Sequence, residues 1–397
     1  MNRNKHLEDY YLGTLVGGAI GDALGYAVEF LSLDEIKAKY GFYGIAQYDL
    51  DGNNKAHFSD DTQLTLFTIN GLLNGETKKK YDNDDTPLYQ YVYYAYLDWL
   101  ATQGIAKKCQ DPYRKDSWLI NIKELNVTRS PGRTCLSSLA LGDEKHLYNL
   151  NNPINNSKGC GAVMRIAPIG LLYPRYKDIF LLSAEVASLT HGHPMSHLAS
   201  QLMAMIIANI FKYEEKTLWR VIKDTTKELS DRYKIDAPQG LEKFYSYVKP
   251  YLPEFIAIIR RSLVLVKFAL VEESKGKIVK DLDNIASLGE GWVAEESIAI
   301  AIYCAVRYQK VPMQGIIASV NHNGDSDSTG ALTGQLLGAY YGMSIFPTDY
   351  INKLELEDVI EEMAMDLLNG CQFDSHSKDS KEKSIWEDKY LYHNYRK

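Results

Sequence analysis

Residues 17–30 read GGAIGDALGYAVEF, an apolar stretch of helical character in which glycine recurs and two carboxylates, Asp22 and Glu29, interrupt the small residues. A glycine inside a helix costs about 1 kcal/mol relative to alanine, so its repeated use needs a gain elsewhere. Close packing of one helix on another is the favoured gain at Gly17, Gly18 and Gly21, ahead of ligand contact. The two acids read differently. A carboxylate in such an apolar surround is seldom buried without a partner, so one of Asp22 and Glu29 is expected to serve a site.

Helical spacing continues outward from this stretch. Apolar residues recur at the helical period in Leu64, Phe67, Ile69, Leu72 and Leu73, again in Ile298, Ala301, Ile302 and Ala305, and across residues 181–189, 198–211, 255–271 and 331–342. Strand-like alternation is scarce, and Asn, Asp, Gly and Pro clusters punctuate the pattern at 49–54, 82–87 and 149–156. The expected fold class is all-α. No internal repeat and no Pro/Ser/Gly-rich linker divides the chain, which favours a single domain over residues 1–370. Residues 371–397 contain the polar run DSHSKDSKEKS (374–384), a solvated connector. Beyond it Ile385, Trp386, Tyr390 and Tyr392 resume an apolar pattern suited to docking on the domain or to a surface tail.

Composition narrows the class further. In 397 residues, 45% are hydrophobic and 24% charged, with only 28 Gly and 12 Pro, which excludes disordered and collagen-like chains. A net charge of −7 gives no global attraction for phosphate backbones, so nucleic acid is an unlikely partner. The cysteines, Cys109, Cys135, Cys160, Cys304 and Cys371, are odd in number and form no C-x-x-C pair, so no disulfide framework, structural zinc or thiol redox centre is expected. Residues 1–10 lack an apolar leader core, and no apolar run approaches the roughly 18 residues of a membrane span. These features imply a cytoplasmic protein with no membrane partner.

Two acidic segments carry the chemistry. In FSDDTQLT (58–65), Ser59, Asp60 and Asp61 stand just before a helical pattern, and read alone they form a helix N-cap. NHNGDSDSTG (321–330) repeats that chemistry with Asp325, Asp327 and Ser328 ahead of a small-residue helix. Brought together, the two would offer four carboxylates and serine hydroxyls, a hard-oxygen donor set that suits Mg2+ or Mn2+ rather than zinc. Their spacing allows two ions about 3.5–4 Å apart. The spacings of an EF-hand are absent, which makes calcium the weaker choice.

Three further segments are weaker signals. SKGCGAVMRIAP (157–168) is a Ser/Gly-rich turn opening onto an apolar helical stretch, a phosphate-favouring arrangement that matches no established loop motif. Within it Arg165 reads as a structural ion-pair partner and Cys160 as a packing residue. THGHPMSH (190–197) holds three histidines, but no carboxylate or cysteine at ligand spacing, so His191 is read as a pocket residue or a satisfied core histidine. In the aromatic helix YVYYAYLDWL (91–100), Asp98 reads as an exposed helix position.

GDALGYAVEF, FSDDTQLT, SKGCGAVMR, THGHP, GEGWVAEESIAIAI (289–302) and NHNGDSDSTGALTGQLLGAYYG (321–342) occur in the order and spacing of the ADP-ribosylglycohydrolases, the family of dinitrogenase reductase-activating glycohydrolase, which this chain resembles over residues 11–342. TRSPGRTCLSSL (128–139) also resembles a segment of bacterial members. The resemblance implies a single-domain, all-α orthogonal helical bundle with a dinuclear centre of Mg2+ or Mn2+, hydrolysing the glycosidic bond between ADP-ribose and a modified group. By motif position it implies Ser59, Asp60, Asp61, Asp325, Asp327 and Ser328 as metal ligands. It places Glu29 near the ribose, Ser157, Lys158, Gly159, Cys160 and Gly161 around the diphosphate, and His191 near the distal side of the ligand. Serine at 59 replaces the commoner threonine with the same oxygen donor.

The implied mechanism follows from charge. Cleavage at the anomeric carbon passes through an oxocarbenium-like state that flanking carboxylates stabilise, with Glu29, Asp60 and Asp61 as the catalytic candidates. The expected partner is an ADP-ribosylated protein, arginine-linked first, or a small-molecule conjugate; serine-linked and nucleic-acid-linked ADP-ribose stay open. Two other readings remain at this point: an immunity-type or pseudoenzyme protein acting by contact with an ADP-ribosylating toxin, and a dinuclear metal phosphohydrolase.

Overall fold

The glycines of the opening stretch pack one helix along another. In the computed structural model, which describes residues 7–106, 115–142 and 149–397, the helix Leu7–Tyr26 lies antiparallel to the helix Ser326–Tyr341. Gly13, Gly17 and Gly21 recur every fourth residue on one face and meet Gly338, Gly334 and Gly330 on the other. A Cβ at Gly21 would stand 2.0 Å from the Gly330 carbonyl oxygen, and one at Gly334 would stand 1.9 Å from that of Gly17. No side chain tolerates such distances, so the repeat exists for backbone-to-backbone contact. Gly18 faces the Gln335 side chain instead.

This pairing positions the site. Antiparallel packing sets the C-terminal end of the first helix beside the N-terminal end of the second, where Gly25 abuts the Ser326 backbone. The first helix ends at Tyr26 and does not run on to Phe30. Residues 25–31 instead form successive turns, with Val28 N–H on the Gly25 carbonyl and Leu31 N–H on that of Val28, each at 2.9 Å.

Five further helices match the apolar periodicities: Asp60–Asp82, Ile179–Ser188, Pro194–Lys212, Leu252–Ser274 and Ala294–Arg307. One hydrophobic cluster, running from Tyr11 to Tyr390, joins them, and no strand occurs among the described residues. Contrary to the expectation that no segment reaches spanning length, Pro194–Lys212 is long and apolar enough to cross a membrane. Every residue from Pro194 to Phe211 is buried among the other helices, as an all-round apolar core helix must be. The expected helical continuation of 157–168 is smaller than its apolar pattern suggested: a 3-10 turn, Cys160–Ala162, and a five-residue helix, Ala167–Leu171.

After Gly370 the chain returns to the body. In the helix Lys381–Tyr390, Trp386 and Tyr390 are buried while Tyr392 beyond it is exposed. Trp386 Nε1 donates to Thr77 Oγ1 at 3.0 Å, and Lys389 Nζ and Tyr390 OH both donate to Asp366 Oδ2 at 2.6 Å. Cys135, Cys160, Cys304 and Cys371 are free thiols; Cys109 and residues 1–6 lie outside the described residues.

Candidate active site

Both acidic segments stand at helix N-termini, and both N-termini open on one cavity. Ser59 caps the helix Asp60–Asp82, its hydroxyl accepting from Asp61 N–H at 3.2 Å. Asp60 and Asp61 are thus the first two helical residues, where the helix dipole favours negative charge. Asp325 caps the helix Ser326–Tyr341 by accepting from Ser328 N–H at 3.3 Å, which places Asp327 and Ser328 in its first turn. Asp60, Asp61, Asp325, Asp327, Ser328 and Glu29 all line a cavity of about 510 Å3, a volume ordinary for a cofactor-sized ligand. Ser59 is fully buried beneath this wall and does not line it.

Asp22 resolves the question raised by the two acids of the opening stretch. Its Oδ1 accepts from Ser59 N–H at 2.8 Å, and its Oδ2 accepts from Thr62 N–H at 2.9 Å and from Thr62 Oγ1 at 2.6 Å. Asp22 therefore clamps the first turn of the neighbouring helix, a positioning role. Glu29 is the acid that reaches the site. It offers an oxygen within 4.8 Å of oxygens of both Asp325 and Asp327, and its Oε2 is buried with no hydrogen-bond partner among the described residues. Asp61 Oδ2 is orphaned in the same way.

Such a concentration of buried acid raises the carboxyls of Glu29, Asp22, Asp60, Asp61 and Asp325. Burial, with Asp327, Asp325 and Asp60 nearby, pushes the Glu29 carboxyl up to about 10. Burial and then Asp327 raise Asp22 to about 7. Asp61 and Asp325 are raised well above the carboxylate range by burial first and Asp327 second; burial likewise raises Asp60, partly offset by the Gly132 N–H that donates to its Oδ2 at 3.1 Å. None of these carboxylates is ion-paired to Lys or Arg among the described residues. Buried carboxylates without cationic partners, two of them with orphaned oxygens, form a donor set that fits hard divalent cations.

The facing wall is built by glycines under an imidazole. His191 is buried, its Nδ1 hydrogen-bonded to Thr190 Oγ1 at 2.8 Å, and burial holds it well below the usual imidazole range, hence neutral. A Cβ at Gly159 would stand 3.1 Å from its Nε2, and one at Gly161 would stand 3.1 Å from its Cε1 and 2.9 Å from Cys135 Sγ. Glycine at both positions lets the loop backbone lie against the ring and face the cavity. Gly159, Cys160, Gly161 and His191 line it, whereas Ser157 and Lys158 do not. Lys158 Nζ is bound to Glu295, and Ser157 Oγ meets Thr134 Oγ1 at 3.2 Å. Cys160 is more than packing: its Sγ donates to Asp325 Oδ2 at 2.6 Å.

Other expectations are corrected. Arg165 is fully buried but makes no ion pair among the described residues; its guanidinium bonds Thr190 and Cys135 and sits 4.5 Å from the Tyr96 ring centre. Its field reaches Asp60, where it opposes the rise. Asp98 is buried rather than exposed, accepts from Asp116 N–H at 2.7 Å, and does not line the cavity. His193 caps the helix Pro194–Lys212, and His197 is a core residue bonded to the His191 carbonyl.

Several lining residues were given no role from the motifs. Arg133 is exposed at the start of the helix Arg133–Leu141, and Ser130 holds a left-handed φ of 51° in the loop before it, pinned by the buried Arg129–Glu355 pair. Phe30 and Trp292 stack at the cavity edge, each inside a quoted motif, GDALGYAVEF and GEGWVAEESIAIAI, yet neither carried a polar signal.

The profile of the ADP-ribosylglycohydrolase family matches residues 3–376. Among similar proteins, the uncharacterized protein YegU of Escherichia coli (strain K12) is 26% identical, over 88% of this chain and 92% of its own length. ADP-ribosylhydrolase ARH3 of Mus musculus is 25% identical over 87% of each. A solved structure titled ADP-ribosylglycohydrolase-related protein complex shares the fold, with a TM-score of 0.57 at 22% identity over 92% of this chain and 99% of that one. With its all-α fold, its buried acidic cavity and a family match over most of its length, this chain belongs to the ADP-ribosylglycohydrolases, enzymes that hydrolyse the glycosidic bond to ADP-ribose.

Proposed function

We propose that this enzyme removes ADP-ribose from arginine side chains of modified proteins, with two Mg2+ or Mn2+ ions held by Asp60, Asp61, Asp325, Asp327 and Ser328, and Ser59 behind them. The observation that carries this reading is the convergence of Glu29 and the two helix N-termini on one cavity, with the Glu29 and Asp61 oxygens left orphaned. Bound divalent cations would neutralise the carboxylates and polarise the groups they touch. The backbone of Gly159 to Gly161, lying against His191, receives the diphosphate, and the neutral imidazole adds no negative charge there. In hydrolysis the bond from the anomeric carbon to the guanidino nitrogen breaks and water supplies the new C–O bond. The leaving nitrogen takes a proton. In this reading Glu29, a lining residue with an unpartnered Oε2, hands over that proton and regains one from the attacking water, while Asp60 and Asp61 stabilise the positive charge on the ribose with what charge their ions leave uncompensated. The free thiols of the four described cysteines support a cytoplasmic location.

Product analysis on arginine-, serine- and nucleotide-linked ADP-ribose conjugates, with Mg2+ or Mn2+ titrated, tests the reading. Free ADP-ribose is expected from the arginine-linked conjugate, with loss of release on chelation and a fall of about 100-fold or more for Asp60→Ala with Asp327→Ala. Release of AMP would instead indicate a phosphohydrolase, and cleavage of only the other conjugates would overturn the linkage. A toxin-blocking protein would keep its effect after those substitutions; nothing in the fold or the relatives favours it.

A further inference from the structure

Phe30 and Trp292 are large apolar rings left in water at the edge of the cavity, 71% and 40% exposed. Their centroids are 6.2 Å apart and their planes 20° from parallel, too close to admit a third ring and near enough to present one continuous aromatic face. Each arrives from a different part of the chain. Phe30 follows Glu29 in the turns after the first helix, and Trp292 precedes the helix Ala294–Arg307, its carbonyl accepting from Cys160 N–H at 3.1 Å. The pair adds little to the core, so its convergence on the cavity points to something that covers it when substrate is bound.

We infer that this aromatic face receives the guanidinium of the arginine leaving group and thereby sets linkage specificity, an inference that rests on the proposed arginine reading. Position favours the leaving group over the adenine, even though the Trp292 carbonyl also meets the loop proposed for the diphosphate. The pair adjoins Glu29, and Gly291 beside Trp292 lies against Asp325, so the rings border the carboxylates that flank the anomeric carbon. Adenine is separated from that carbon by a diphosphate and a second ribose, whereas the leaving group is bonded to it directly. Charge selects the chemical class. With Glu29 holding a proton, four carboxylates and one guanidinium, Arg133, line the cavity among the described residues; two divalent ions would offset that excess, and the diphosphate of the substrate restores a negative surround. A planar cation satisfies both the negative surround and the negative ring faces, and a guanidinium stacks on aromatic rings as a compact ammonium does not.

The test compares Phe30→Ala, Trp292→Ala and the double variant with the parent enzyme, and uses the conservative Trp292→Phe as a rescue. Both rings are exposed enough that the truncated proteins should keep the parent melting temperature. The expected result is a rise of about tenfold in KM for ADP-ribosyl-arginine peptide in the double variant with a smaller change in kcat, and near-parent values for Trp292→Phe. Agmatine, which carries a guanidinium, should inhibit the parent enzyme and bind it in calorimetry more tightly than putrescine, which has only ammonium groups; the double variant should lose that preference. ADP-ribose affinity measured by calorimetry should be unchanged. An equal loss of ADP-ribose affinity would assign the rings to the nucleotide and overturn the inference, as would an unaltered KM for the arginine-linked peptide. Failure of the underlying arginine reading is separately visible, because the parent enzyme itself would then leave that peptide intact.

Discussion

His197 shows at the residue scale how burial decides a charge. Its Nε2 meets the His191 carbonyl at 3.0 Å, its Nδ1 has no partner, and burial lowers it to about 4. The folded value lies below the unfolded value of about 6.5, so the unfolded chain binds this proton more tightly. The stability this group contributes is fully present above pH 6.5 and is lost as pH falls toward 4, by a few kcal/mol at most. Urea melts between pH 4 and 7 should show that decline, and His197→Gln, which cannot titrate, should flatten part of it. The neighbouring His191 behaves alike but packs on Gly159 and Gly161. Among the histidines of residues 190–197 it alone lines the cavity, a distinction that their spacing could not reveal.

At the scale of elements, the paired glycine faces of Leu7–Tyr26 and Ser326–Tyr341 align the site. Gly334→Val would drive a side chain into the Gly17 carbonyl, where a Cβ already stands at 1.9 Å. Because that neighbour is backbone, the helices must separate. The expected cost is about 3 kcal/mol or more in urea unfolding, with loss of turnover. Gly52→Ala is the control, since nothing lies within 4 Å of the Cβ it would gain, and its stability should stay within about 0.5 kcal/mol of the parent. The helices themselves were legible because apolar period and small-residue content are local. The end of the first helix was not: residues 27–30 (AVEF) remain helix-compatible in pattern, while the chain turns after Tyr26 to deliver Glu29 to Asp325 and Asp327.

For the whole molecule, the buried acids imply that the fold is less stable without cations than with them. Ligand binding to the native state alone stabilises it by about 2.7 kcal/mol at 100 times Kd. Chelation should therefore lower the melting temperature by several degrees in a thermal scan. Mg2+ or Mn2+, but not K+ at equal ionic strength, should restore it, and Asp327→Asn should blunt the response. An unchanged melting temperature would contradict the assignment of this cavity to metal. The helix Lys381–Tyr390 belongs to the same folded unit by its contacts, with Trp386 on Thr77 and Lys389 on Asp366.

The amino-acid sequence by itself determined the all-α class, the two acidic helix starts and the family, because helical period, capping chemistry and ordered motifs are written in neighbouring residues. Only the tertiary structure decided which acids face the cavity. Asp22 and Glu29 stand in one motif, yet one clamps a helix and the other meets Asp325 and Asp327. Likewise only the structure buried Asp98, left Arg165 without an ion pair among the described residues, and stacked Phe30 on Trp292. Exposure and convergence depend on contacts between distant segments, and no local pattern encodes what the chain brings from the far end to cover a side chain or leave it bare.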